Sequence, residues 1–84
     1  MTSDAKPNAI VKNSSPEANL RSAKRSLRQH RHAYMHHRLD MAGDVIDIIE
    51  NGLIIERHIA DGATIRTAKM VWHMTPVEEM ALYQ

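Results

Sequence analysis

A chain of 84 residues without cysteine allows one small domain and excludes disulfide bonds and thiolate metal ligands as its means of stabilisation. The formal net charge is only +1, so the chain as a whole is neither strongly basic nor strongly acidic. We find no apolar run of the length that a secretory signal or a membrane span requires, and we expect a cytoplasmic protein without membrane contact.

The charges are distributed unevenly along the chain. Residues 21–38 contain six Lys and Arg and no acid, whereas residues 39–84 contain eight acids and three Lys and Arg. A domain of this size buries little of its surface, so we also expect a homodimer or a subunit of a larger complex.

The first predicted boundary lies near residue 15. Residues 1–15 are rich in Ser, Asn, Lys and Pro, a composition that predicts a flexible tail, with residues 16–84 as the single domain. Ser15 can cap a helix, Pro16 suits its first position, and Glu17 suits its first turn. These signals predict that a helix begins there.

The predicted helix is long, basic and amphipathic, and it extends to about Met41 because Gly43 is the first terminator after Pro16. Residues at alternating spacings of three and four form one stripe along it: Leu20, Ala23, Leu27, His30, Tyr34, His37 and Met41. The positive charges lie mostly off this stripe, so we expect the stripe to be buried and the charges to face solvent.

The next segment predicts a three-stranded antiparallel meander over about 45–50, 53–60 and 63–72. Asn51-Gly52 and Asp61-Gly62 are dipeptides typical of tight hairpin turns, and both are flanked by Ile and Val.

These turns predict a register that opposes Ile49 to Ile54, Ile48 to Ile55 and His58 to Ile65. The alternative is an all-α fold in which 44–60 forms a second helix, since short apolar runs are ambiguous by periodicity.

The predicted strands have two partly apolar faces. The proposed core face holds Ile46, Ile48, Leu53, Ile55, Ile59, Ala68 and Met70, interrupted by Arg57 and Arg66. The other holds Val45, Ile49, Ile54, Ala60, Ile65 and Val71 beside Asp47, Glu56, His58 and Lys69. Because the second face is too apolar to be left in water, something is expected to cover it.

A short C-terminal helix is predicted after Thr75. Thr75 can cap it, Pro76 suits its first turn, and Glu78 completes a capping box. The whole pattern predicts an α+β fold.

No motif in the chain predicts catalysis. The three glycines are assigned to turns and caps, so no phosphate-binding loop is expected, and we predict neither an enzyme nor a cofactor. On a helix, His32 and His36 would be four residues apart and could share one metal ion, but the further ligands that a stable site needs are not recognisable, so no metal site is predicted.

The acid-free basic segment 21–38 is the strongest functional signal. It predicts a small non-enzymatic regulatory or accessory protein that binds nucleic acid through its basic helix. The candidate binding residues are Arg21, Lys24, Arg25, Arg28, Arg31, His32, His36 and Arg38. Serines and Gln29 in the same segment are expected to add neutral contacts to phosphate.

The alternative function is protein binding. The same surface suits an acidic protein, as in a modulator or inhibitor of a larger, nucleic-acid-handling complex of the mobile-element or phage type.

Overall fold

The computed structural model describes residues 16–40, 43–62 and 65–83, so the predicted tail lies outside the described residues. The fold is α+β, with one antiparallel four-stranded sheet and two α-helices in the described residues. The elements in chain order are α1 (Pro16–Leu27), β1 (Ala33–Asp40), β2 (Gly43–Glu50), β3 (Leu53–Ala60), β4 (Ile65–Lys69), a 3-10 turn (Val71–His73) and α2 (Pro76–Ala81). Among the helices described, none is long and apolar enough to cross a membrane.

The predicted long helix is wrong in its second half. The helix ends at Leu27, and the residues that would have continued it form a turn and then β1, a fourth strand absent from the predicted meander. β1 pairs with β2 along its full length, from Ala33 opposite Glu50 to Asp40 opposite Gly43. This pairing satisfies backbone groups that would otherwise be left open at the edge of β2, so sheet formation overrides the local helical pattern.

The stripe residues separate accordingly. Leu20, Ala23 and Leu27 do pack on the sheet, as predicted. His30 lies in the turn, whereas Tyr34 and His37 lie in β1, and Met41 falls outside the described residues.

The hairpin between β2 and β3 confirms the first predicted turn. Glu50 pairs with Leu53 across Asn51 and Gly52, whose φ angles of 55° and 80° are those of a primed two-residue turn. The all-α alternative is therefore wrong.

A β-bulge lies just beyond this turn. Ile49 pairs with Ile54 as predicted, but Ile48 pairs with Glu56 and not with Ile55, so Ile55 is the extra residue. One inserted residue turns every later side chain of β3 to the other face. Glu56 and His58 therefore share a face with Ile48, and Arg57 shares the other face with Asp47, which reverses the predicted faces.

The connection from β3 to β4 is longer than predicted. Ala60 pairs with Ile65 and His58 pairs with Thr67, so the connection spans 61–64 and is not the two-residue turn at Asp61-Gly62. The predicted pairing of His58 with Ile65 is displaced by two residues, so each β4 side chain keeps its predicted face relative to β3, and Ala68 moves with Arg57 to the face opposite Ile46 and Ile48. β4 ends at Lys69, because Met70 adopts a left-handed conformation with a φ of 57°.

One face of the sheet is covered by α1, and the other is contacted by side chains from the C-terminal segment. α1 packs on the face that carries Ile46 and Ile48, which we call the α1 face. Its apolar core consists of Ala23, Ile46, Ile48 and the partly buried Leu20, Leu27, Ala33, Met35 and Ile55. The opposite face carries Asp47 and Arg57, and residues of α2 and the turn after it contact this face.

α2 forms as the sequence predicts. The Thr75 hydroxyl accepts a hydrogen bond from the Glu78 backbone N–H, and the Glu78 carboxylate accepts one from the Thr75 N–H. Pro76 occupies the first turn. This reciprocal capping box stabilises a helix of only six residues.

Candidate nucleic-acid interface

The outer side of α1 is basic because its charged residues recur with helical spacing. Residues at i, i+3, i+4 and i+7 lie on one side of a helix, and here they are Arg21, Lys24, Arg25 and Arg28, all exposed. Helical geometry extends to Arg28, whose backbone N–H donates to the Lys24 carbonyl at 3.2 Å. Asn19 and Ala23, on the other side of the helix, are fully buried.

The turn after α1 extends this positive region. Arg31 and His32 are exposed there, and the His32 backbone N–H donates to a Glu50 carboxylate oxygen at 3.4 Å. We define the basic surface by six residues: Arg21, Lys24, Arg25, Arg28, Arg31 and His32. Within the described chain, no carboxylate lies within salt-bridge distance of its Arg and Lys side chains. Two acidic residues border the basic surface: Glu17, one turn before Arg21, and Glu50, which accepts the His32 hydrogen bond.

The other two predicted binding residues lie across the sheet. His36 pairs with Asp47 and Arg38 pairs with Val45, so both side chains belong to the opposite face. The structure therefore brings six of the eight candidates together and separates two.

Arg38 is already engaged on that face. Its guanidinium donates to the Asp40 carboxylate and to the Tyr83 hydroxyl, the latter at 3.4 Å, and lies 3.9 Å from the Asp47 carboxylate. Burial lowers the pKa of Arg38, but the Tyr83 hydrogen bond and the Asp47 charge together raise it by more. The net pKa therefore lies above its ordinary value.

Polar contacts that the sequence did not predict hold α1 against the sheet. The Asn19 amide group donates to the Asp44 carboxylate at 2.9 Å, to the Asp44 carbonyl at 3.2 Å and to the His58 carbonyl at 3.1 Å. Asp44 also accepts a hydrogen bond from the partly exposed His37. Asn19 thus fixes the position of α1 over β2 and β3.

His58 is the centre of a second buried polar group under α1. Its Nε2 lies 2.9 Å from Glu56 Oε1, and its Nδ1 lies 3.3 Å from the hydroxyls of both Ser22 and Thr67. Burial raises the pKa of Glu56, but hydrogen bonds from Ser26 and His58 lower it by more, and the net pKa lies below its ordinary value.

A serine, a histidine and a carboxylate in contact resemble the parts of a nucleophilic site, but these are not arranged for one. His58 and Glu56 are both buried, so a substrate has no access to the imidazole. Ser22 faces the sheet and is not available for the contacts to phosphate predicted for the serines. The group instead satisfies polar atoms at the interface of helix and sheet.

The structure also separates the histidines considered as metal ligands. His32 lies in the turn and His36 in β1, so the helical spacing that would bring their imidazoles together does not exist. Among the described residues, no group of three or more His, Asp and Glu is arranged to hold a metal ion.

Comparison with protein-family models, with curated proteins and with solved structures finds no significant match to this chain.

Proposed function

We propose that this protein is a small non-enzymatic accessory protein that binds nucleic acid through the basic surface. The observation that carries the proposal is the arrangement of Arg21, Lys24, Arg25 and Arg28 on one exposed side of α1, where no described carboxylate neutralises them. Cations that are not paired within the protein are free to replace the counterions of a phosphate backbone.

The dimensions of the surface fit several phosphates. Arg21 and Arg28 are separated by about 10 Å along the helix axis, given the helical rise, and duplex DNA carries one charge per roughly 1.7 Å of axis. Arg31 and His32 continue the surface beyond the helix. Because these contacts would go to the backbone, we expect weak sequence preference.

Binding is tested by fluorescence anisotropy with DNA and RNA of about 20 nucleotides, single-stranded and duplex, at about 50 and 200 mM salt. Five cationic contacts predict a slope of log K against log salt near −4.5 on duplex DNA, which is about a 500-fold loss of affinity between the two salt concentrations. Arg25→Gln is expected to reduce the magnitude of this slope by about one unit.

The matched control is Lys69→Gln, which removes one exposed positive charge from the edge strand β4. Its salt slope should equal that of the wild type. If Lys69→Gln and Arg25→Gln reduce the salt slope equally, binding depends on net charge and not on the basic surface. Absence of binding to every probe below about 10 μM at low salt contradicts the proposal, since non-specific basic contacts are detectable there, and favours the alternative of an acidic protein partner.

A further inference from the structure

α2 contacts the sheet through its polar side. The Glu79 carboxylate accepts a hydrogen bond from Arg57 at 3.0 Å, the Tyr83 hydroxyl accepts one from the same guanidinium at 3.0 Å, and the Leu82 carbonyl accepts one from Arg66 at 2.8 Å. Glu79 lies in α2 and Tyr83 lies four residues later in the turn after it, so the side of α2 that carries Glu79 faces the sheet. An amphipathic helix usually buries its apolar side, and here the polar side is used.

The apolar residues of α2 are consequently left in solvent. Val77 is 78% exposed and Met80 is 67% exposed. Met70 and Trp72, in the segment that leads into α2, are 55% and 47% exposed. The ring of Trp72 contacts that of His73 edge-on, with 5.3 Å between centroids, which orients the indole. We call Met70, Trp72, Val77 and Met80 the C-terminal apolar surface.

We propose that two copies of this chain associate through their C-terminal apolar surfaces. Four large side chains that are each between 47% and 78% exposed present on the order of 500 Å² per copy, an extent that commonly has a function in a small protein. A symmetric pair would then bury about 1,000 Å², the lower bound for a specific interface.

The extent of the surface favours a second copy as its occupant, because two copies of it together reach that lower bound. Of the two carboxylates of α2, Glu79 is compensated by Arg57, whereas Glu78 accepts the capping-box hydrogen bond and stays ionised and exposed. A two-fold axis makes such a surface self-complementary.

Sedimentation velocity from about 1 to 300 μM tests this association, because an interface near the lower size limit predicts a micromolar dimer whose mass depends on concentration. The double variant Val77→Glu/Met80→Glu is expected to be monomeric throughout. Its far-UV circular dichroism should match that of the wild type, since both side chains lie in solvent. The matched control, Leu39→Glu, changes an equally exposed apolar residue (76%) on the edge strand β1 and should dimerise normally.

Trp72 provides a measurement that needs no variant. As the one tryptophan of the chain, it should shift its emission to shorter wavelength as the concentration rises through the dissociation constant. A wild type that stays monomeric, or an emission that is constant with concentration, overturns the proposal. So does a dimer that Leu39→Glu disrupts and Val77→Glu/Met80→Glu leaves intact, because that result assigns the contact to the β1 edge.

Discussion

Replacing Asp47 by Asn should remove a large part of the stability of this fold. Arg57 is buried, and it donates to Asp47 through Nε at 2.6 Å and through Nη2 at 3.3 Å, in the bidentate geometry that suits a carboxylate. These contacts hold the pKa of Arg57 above its ordinary value despite burial, so the guanidinium stays charged. Asp47→Asn keeps the side-chain volume and removes the charge that compensates Arg57.

The magnitude follows from what remains beside Arg57. Loss of one partner from a buried ion pair typically costs about 3–5 kcal/mol, because the other charge is left uncompensated. Glu79 remains 3.0 Å from Nη1, but its side chain is substantially exposed, so its compensation is partly screened by solvent. We therefore expect a loss of about 3 kcal/mol, at the lower end of that range.

The assay is urea denaturation followed by circular dichroism at one fixed protein concentration. Asp61→Asn is the matched control: Asp61 lies 3.3 Å from Arg66 with both side chains partly exposed, and loss of such a pair should cost less than about 1 kcal/mol. If Asp47→Asn is no more destabilising than Asp61→Asn, the pair does not carry the stability assigned to it here.

Two further changes test the strand connections and the α1 interface. Gly43→Ala should lower the free energy of unfolding by about 3 kcal/mol or more, because a Cβ at this φ of 119° would lie 2.4 Å from the Ala60 carbonyl oxygen. Gly62→Ala is the control in the same urea assay, and it should cost less because the space around its Cβ is open. Because the folded-state pKa of Glu56 is lowered, its contribution to the free energy of unfolding is present above the unfolded value of about 4.5 and is lost as pH falls below it. Urea titrations from pH 6 to pH 3 should therefore show a smaller loss of stability for Glu56→Gln than for the wild type, and equal losses would refute this assignment.

The elements that were predicted correctly depend on neighbouring residues. Asn51 and Gly52 tolerate the positive φ of a primed turn whatever the rest of the fold is. Thr75 and Glu78 are three residues apart and form the hydrogen bonds of the capping box with each other. The apolar stripe is correct as far as Leu27 because the helix itself is present that far.

The parts that were missed depend on distant pairing. Nothing local distinguishes β1 from a continued helix, and its conformation is decided by β2, which becomes its partner only in the folded chain. The bulge at Ile55 likewise has no glycine to mark it, yet it moves Arg57 to the opposite face and His58 under α1. The separation of His36 and Arg38 from the other candidate residues follows directly from the first of these errors.

The order of the strands also bears on how the protein folds. Each strand pairs with its neighbour in the chain, so the sheet can form by successive closure of hairpins. Closing a short loop costs less conformational entropy than closing a long one. The Asn19 contact with the His58 carbonyl, across 39 positions, closes a much longer loop. We therefore expect the β2–β3 hairpin to form early and α1 to dock late, so that the helix bearing the basic surface is the last layer to join the sheet.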